Sequence, residues 1–376
     1  MPNVIQKLSA LGQSVWCDHL SRAALDSGEL ARMIRDGITG VTSNPTIFMK
    51  AITGGSEYDA LFTRLLADDL PDQRIYEGLV LPDIRDAADA LRPVYDRTGG
   101  ADGFISLEVN PHLAHDTQGT VEEARRLFAE VDRPNLMIKV PATPEGIPAV
   151  QTLIGAGVNV NITLIFSIDV YRRVVDAYLA GLHRLAGAGG NVAAVASVAS
   201  FFVSRLDTSV DRVLDGMIAA GGDRAKLEAL KGRAAVANAV LAYDAFKDVF
   251  QRGDAFRTLA ARGAQVQRPL WASTSTKNPA YPDTLYVDPL IGPHTVNTMP
   301  PNTIEATLDH GRAELTIEAG LPLARATVQT LSAAGVDLDA VTDALLADGV
   351  RLFADSYDQL IANLAVKRRG LAAAGR

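Results

Sequence analysis

The sequence has one cysteine, Cys17, so no intramolecular disulfide can form and the stability of the chain cannot rest on cross-links. No run of about 18 uninterrupted apolar residues exists, so no membrane-spanning helix is expected. Residues 1–11 lack the basic start and long apolar run of a signal peptide, and a cytoplasmic location is the expectation. Positive charge is in deficit as well. A net charge of −8 argues against a nucleic-acid polyanion as the main partner, although a phosphorylated small molecule would need only a local basic site. No G-x-G-x-x-G follows the first strand candidate, which removes the usual dinucleotide reading. What is present is ordinary for a globular enzyme-sized chain: 376 residues, 48% hydrophobic and 21% charged.

Strand candidates and helical stripes alternate along this length. The strands are expected at 14–18, 40–44, 104–109, 136–141, 158–165, 192–200, 269–273 and 283–287. Helices are expected between them, near 28–36, 56–70, 82–92, 168–186 and across 201–262. Thr120 and Glu123 read as a capping box opening one helix, and Asn302 with Glu305 as the cap of another after a Pro-rich loop at 289–301. The last residues, from Lys367 on, are basic and small and are expected to fray. Eight short strands with helical crossovers indicate a closed parallel (β/α)8 TIM barrel with additional helices. The expected organisation is a single domain over 1–376, with the barrel at about 12–300 and a helical extension at about 301–376.

Leu136-Met-Ile-Lys-Val-Pro141 is the anomalous strand. A parallel strand covered on both faces should be almost continuously apolar, and an unpaired ammonium inside it is costly. A chemical reason for Lys139 is that desolvation makes its neutral amine accessible as a nucleophile. From an ordinary value of about 10.4 this needs a depression of roughly 3 pH units, or about 4 kcal/mol. The bland alternative is an edge-strand lysine that snorkels to water. In a barrel the reactive residues collect at the C-terminal ends of the strands. There the sequence places Asp18, Asn44, Glu108, Lys139, Thr163 and Ser200, one from each of the first six strands. An amine attacking a ketone needs acid–base partners for carbinolamine formation, dehydration and carbon–carbon cleavage, and two carboxylates with a hydroxyl would suffice.

Gly40-Val-Thr-Ser-Asn-Pro-Thr-Ile-Phe48 and Leu136-Met-Ile-Lys-Val-Pro-Ala-Thr-Pro-Glu-Gly-Ile147 resemble the two transaldolase signatures. The likeness extends to Trp16-Cys-Asp18, Ser106-Leu-Glu-Val109, residues 159–167 and residues 200–207, and so covers about the first 290 residues. It implies a metal-independent class I aldolase-like barrel that transfers a dihydroxyacetone unit between sugar phosphates. The implied reaction converts sedoheptulose 7-phosphate and glyceraldehyde 3-phosphate to erythrose 4-phosphate and fructose 6-phosphate, in the non-oxidative pentose phosphate pathway. By the same resemblance Lys139 would form the Schiff base, Asp18 would move a proton at the aldehyde oxygen, and Glu108 and Thr163 would hold a water. Asn44 and Ser200 would bind hydroxyls of the three-carbon unit, and Arg205 the phosphate. Ser273 and Lys277 are the candidates for the family's further phosphate contacts, at a spacing that departs from the family's. The family's Ser-Pro-Phe stands here as Ser200-Phe201-Phe202, and the Pro-rich loop and helical C-terminus resemble the longer bacterial variety.

Three rivals stand beside this reading, one of them a metal-dependent aldolase, which insensitivity to EDTA would remove. A fructose-6-phosphate aldolase of the same superfamily would release free dihydroxyacetone; Glu108 and Phe202 oppose it, because those aldolases carry Gln and Tyr there. A non-catalytic sugar-phosphate-binding barrel would keep the pocket without the covalent step. His112 and His115 have an H-x-x-H spacing but no third ligand, so no metal and no cofactor is expected. Sugar phosphates are the expected partners, with no nucleic acid and no membrane, in a monomer or homodimer.

Overall fold

The computed structural model describes residues 1–68 and 70–374. Eight parallel strands close into a barrel in chain order, so every strand pairs with its sequence neighbours and the last pairs with the first. They are β1 (Gln13–Cys17), β2 (Gly40–Val41), β3 (Phe104–Glu108), β4 (Leu136–Pro141), β5 (Val160–Ile165), β6 (Ser197–Phe202), β7 (Arg268–Ala272) and β8 (Thr295–Met299). Helices cover the outside of this sheet, as parallel crossovers require. Three more helices follow the last strand: Pro301–His310, Leu321–Ala333 and Leu338–Ala374. The long C-terminal helix runs without a break to Ala374, so the described part of the tail from Lys367 on is helical; residues 375 and 376 lie outside the described residues. Among the described residues, no helix is long and apolar enough to cross a membrane.

The alternation of each strand sends one set of side chains into the barrel and the other toward the helices. Ser14, Trp16 and Asp18 lie on the inward face of the first strand, and buried Cys17 faces the helical layer, where burial pushes its thiol up to about 12. The floor of the barrel is polar and satisfied. Asp102 accepts from the Ser14 hydroxyl at 2.5 Å and from Trp16 Nε1 at 2.8 Å, and Arg268 donates to Ser14 at 2.7 Å. Trp16 fits because β2 begins with glycine: a Cβ on Gly40 would stand 2.5 Å from the indole.

Several elements differ from the sequence expectation. The eighth strand is Thr295–Met299, not 283–287, and it lies inside the stretch read as a Pro-rich loop. Pro289, Pro293, Pro300 and Pro301 bracket a strand with polar residues at 295, 297 and 298, so neither composition nor apolar alternation marks it. The 283–287 run, with buried Tyr286 and Val287, is turn that packs against the barrel. The sixth strand starts at Ser197, because 192–194 form a short 3-10 turn. The 82–92 helix is the middle of a longer one, Asp72–Arg97, which accommodates Pro82 and Pro93 internally. The helix expected to open at Thr120 starts three residues earlier, with Asp116 accepting from the Gly119 amide at 3.0 Å. Thr120 instead donates to the Leu113 carbonyl. Asn302 caps nothing: Pro300 precedes that helix and no side chain closes it. On β5 the alternation holds through Thr163 and breaks at Leu164, whose φ of 61° accompanies a register shift between Ile162 and Ile165. Ile165 therefore pairs with outward-facing Phe201 rather than sharing the inner face with Thr163.

Candidate active site

At the C-terminal ends of the strands a cavity of about 290 Å³ opens. Asp18, Asn44, Lys139, Thr163, Ser200, Arg205, Ser273 and Lys277 all line it, and Glu108 stands directly behind Lys139. Eight of the nine residues chosen from sequence thus line one mouth, and the ninth, Glu108, meets it only through Lys139, 3.6 Å away.

Lys139 is placed by register. It sits beside Glu108 across the β3–β4 ladder and beside Asn161 across β4–β5. Its Nζ lies 3.6 Å from Glu108 Oε2 and donates to the Ser43 carbonyl at 3.3 Å. The 3.6 Å separation is an ion-pair distance beyond hydrogen-bond length, so charge attraction rather than a shared proton links the two groups. Both side chains are almost fully buried, 6% and 4% exposed. Burial raises the Glu108 carboxyl to about 7, against the lowering effect of the Lys139 ammonium and helped by the nearby Asp18 charge. A carboxyl poised there can both give and take a proton at neutral pH. Glu108 Oε2 and Thr163 Oγ1 are buried and have no hydrogen-bond partner among the described residues, which leaves both able to bind a small polar group.

The opposite wall is a hydroxyl relay. Thr42 Oγ1 donates to Asp18 Oδ1 at 2.6 Å and lies 2.8 Å from Thr298 Oγ1. Because the one Thr42 proton goes to the carboxylate, Thr298 is the donor in the second bond. This chain fixes the rotamer of Asp18. Ser200 donates to Asn161 Oδ1 at 2.6 Å, and Asn161 Nδ2 donates to Ser106 at 3.0 Å, so the amide is held and the Ser200 oxygen keeps its lone pairs toward the cavity. Asn44 does two things. Its Oδ1 accepts from the Ile47 amide as the cap of helix Pro45–Gly54, and it lines the cavity.

The cationic end is built by the turn after β6 and the loop after β7. Arg205 follows one residue into helix Ser204–Ala219, with its guanidinium 5.3 Å from the centre of the Phe202 ring. It forms no ion pair among the described residues, and burial lowers its pKa. Lys277 is lowered as well, first by burial and then by the Arg205 charge. Two partly desolvated cations that form no ion pair among the described residues make a site for an anionic group. Ser273 holds a left-handed φ of 57°, and its hydroxyl lies 2.9 Å from that of Ser204. Tyr281 and Tyr286 tie the same loop to Asp211 and Asp207 at 2.6 and 2.9 Å.

Sequence reasoning missed Thr42, Thr274, Ser275, Thr298, Asn302 and Phe353, all of which line the cavity. Thr298 lies on β8, which its composition presents as loop, and Asn302 carries the sequence signal of a helix cap rather than of a cavity residue. Thr42 was readable, being two residues before Asn44 on the same face. Phe353 comes from the C-terminal helix and carries no local signal. His112 and His115 lie outside the cavity, bonded to Asp358 and Glu145. Among the described residues no group of three or more His, Cys, Asp or Glu is placed to hold a metal ion.

Residues 15–364 match the family described as Transaldolase/Fructose-6-phosphate aldolase. The chain is 50% identical over 363 residues to a Transaldolase of Thiobacillus denitrificans, covering 96% of this chain and 99% of that one. It is 46% identical over 375 residues to a Transaldolase of Trichodesmium erythraeum, covering 98% of each. To Transaldolase 1 of Streptomyces avermitilis it is 48% identical over 373 residues, 99% of this chain and 97% of the other.

Proposed function

The chain belongs to the transaldolase/fructose-6-phosphate aldolase family, and on that premise we propose that it is a transaldolase, moving a dihydroxyacetone unit from a ketose phosphate to an aldose phosphate. The observation that carries this reading is a buried amine, Lys139, 3.6 Å from a buried carboxyl whose pKa is raised to about 7, at the edge of a cavity with an anion-binding end. The substrates would be sedoheptulose 7-phosphate and glyceraldehyde 3-phosphate, exchanging with erythrose 4-phosphate and fructose 6-phosphate in the cytoplasm.

Ionised Glu108 takes a proton from the Lys139 ammonium, and the neutral amine attacks the keto carbon. Glu108 returns its proton to the carbinolamine hydroxyl, which leaves as water bound by the unpartnered oxygens of Glu108 and Thr163. The resulting protonated imine draws electrons from the C3–C4 bond of the sugar. Asp18 takes the proton of the C4 hydroxyl, the aldehyde departs, and the three-carbon enamine stays on Lys139. An incoming aldose reverses these steps, Asp18 now protonating its carbonyl oxygen as the new carbon–carbon bond forms. Asn44 and Ser200 hold the hydroxyls of the retained unit, and Arg205, Ser273 and Lys277 hold the phosphate of either sugar.

Fructose 6-phosphate supplied with erythrose 4-phosphate should give sedoheptulose 7-phosphate and glyceraldehyde 3-phosphate, while fructose 6-phosphate alone should give little free aldehyde. Rapid aldehyde release without an acceptor would instead identify the aldolase activity.

A further inference from the structure

The C-terminal helix Leu338–Ala374 reaches across the mouth of the barrel and places one aromatic ring inside the cavity. That ring, Phe353, is 5% exposed, and its centre lies 5.7 Å from Lys139 Nζ. The contacts on either side of it, one helical turn away, set its position. Toward the N-terminus, Gly349 packs so closely on Leu164 that a Cβ there would stand 2.7 Å from the leucine side chain. On the other side Ser356 accepts from Thr46 at 2.9 Å, Tyr357 meets Tyr76 edge-to-face at 5.6 Å, and Asp358 lies 2.6 Å from His112. Leu164 belongs to β5, Thr46 and Tyr76 to the connection between β2 and β3, and His112 to the connection between β3 and β4, so the ring is held against the amine by the fold and not by local helix propensity.

We infer that Phe353 decides whether the three-carbon unit is transferred or released. The inference rests on the transaldolase reading above. Once the first aldehyde has left, the enamine on Lys139 has two fates. It can form a carbon–carbon bond to an acceptor, or its nucleophilic carbon can take a proton. In the second case the double bond returns to nitrogen as the iminium, water adds to the carbon bonded to that nitrogen, the carbon–nitrogen bond breaks, and dihydroxyacetone leaves with the amine restored. The second fate needs water beside the lysine-bound carbons on the side where Phe353 now stands. An apolar ring there excludes water from those carbons.

The test compares the parent chain with Phe353→Ala, Phe353→Val and Phe353→Leu. For each, dihydroxyacetone release from fructose 6-phosphate alone is divided by transfer to erythrose 4-phosphate, and the borohydride-trapped adduct at Lys139 is quantified. The ratio should rise about tenfold in Phe353→Ala, equivalent to about 1.4 kcal/mol, and less in Phe353→Val. In Phe353→Leu, which keeps apolar bulk, it should stay within about threefold of the parent (roughly 0.65 kcal/mol). A loss of fold would lower both rates together and leave the ratio where it was, and Phe353→Val then supplies the reading. An unchanged ratio in folded Ala and Val variants that still trap the adduct overturns the role of Phe353 alone. Absence of any adduct in the parent chain overturns the transaldolase reading beneath it.

Discussion

Lowering the pH through neutrality should switch off the buried carboxyl behind the nucleophile, and the size of the effect follows from its surroundings. Glu108 is raised from 4.5 to about 7, mainly by burial. That difference corresponds to about 3 kcal/mol of ionisation free energy. Below pH 7 the ionised fraction falls about tenfold per pH unit, and with it the base that takes the proton from Lys139. The account therefore expects kcat/KM for fructose 6-phosphate, in a coupled assay with erythrose 4-phosphate, to fall with an acid limb centred near pH 7. In Glu108→Gln the limb should disappear and turnover should drop by on the order of 10²- to 10⁴-fold. Stability runs the opposite way. The folded chain holds this proton more tightly than the unfolded one, so the contribution is complete below about pH 4.5 and is lost as pH rises through about 7. A profile flat between pH 5 and 8, or one breaking near 4.5, would refute the assignment of Glu108 as the poised base.

The remaining expectations are narrower. Arg205→Ala should raise KM for phosphorylated substrates by an amount worth about 2–4 kcal/mol, because a desolvated, charge-assisted contact is lost; an unchanged KM would remove Arg205 from the phosphate site. Lys139→Ala should abolish turnover while circular dichroism shows the fold retained, and residual transfer would reject its covalent role. Asp207, raised to about 6 by burial and bonded to the Ala235 amide and the Tyr286 hydroxyl, also loses stability as pH rises, between about 4 and 6. Asp207→Asn should flatten the pH dependence of the melting temperature in that range; an unaltered slope would show that Asp207 ionises freely in the fold.

The legible part of the molecule was the part where one strand face carries both packing and chemistry. Lys139 stood out because an apolar parallel strand has no other use for an ammonium, and Thr163 and Ser200 because polar residues recur at inward positions of strands that are otherwise apolar. β8 was not legible: Thr295-Val-Asn-Thr-Met299 offers polar groups on both faces, and the outward Asn297 finds a partner for its amide nitrogen only in the fold, donating to the Tyr286 carbonyl at 3.1 Å. The register shift at Leu164 and the left-handed Ser273 are backbone events that residue type does not announce at non-glycine positions. Phe353 was hidden for another reason. Its neighbour in space, Lys139, lies more than 200 positions away in the chain, and only the course of the C-terminal helix brings the two together.

Borohydride reduction in the presence of fructose 6-phosphate, followed by peptide mapping, measures the covalent step itself. A dihydroxyacetone-derived adduct on the peptide containing Lys139, and on no other lysine, is the predicted result. Full turnover without any trapped adduct, or an adduct mapped to a different lysine, would contradict the account.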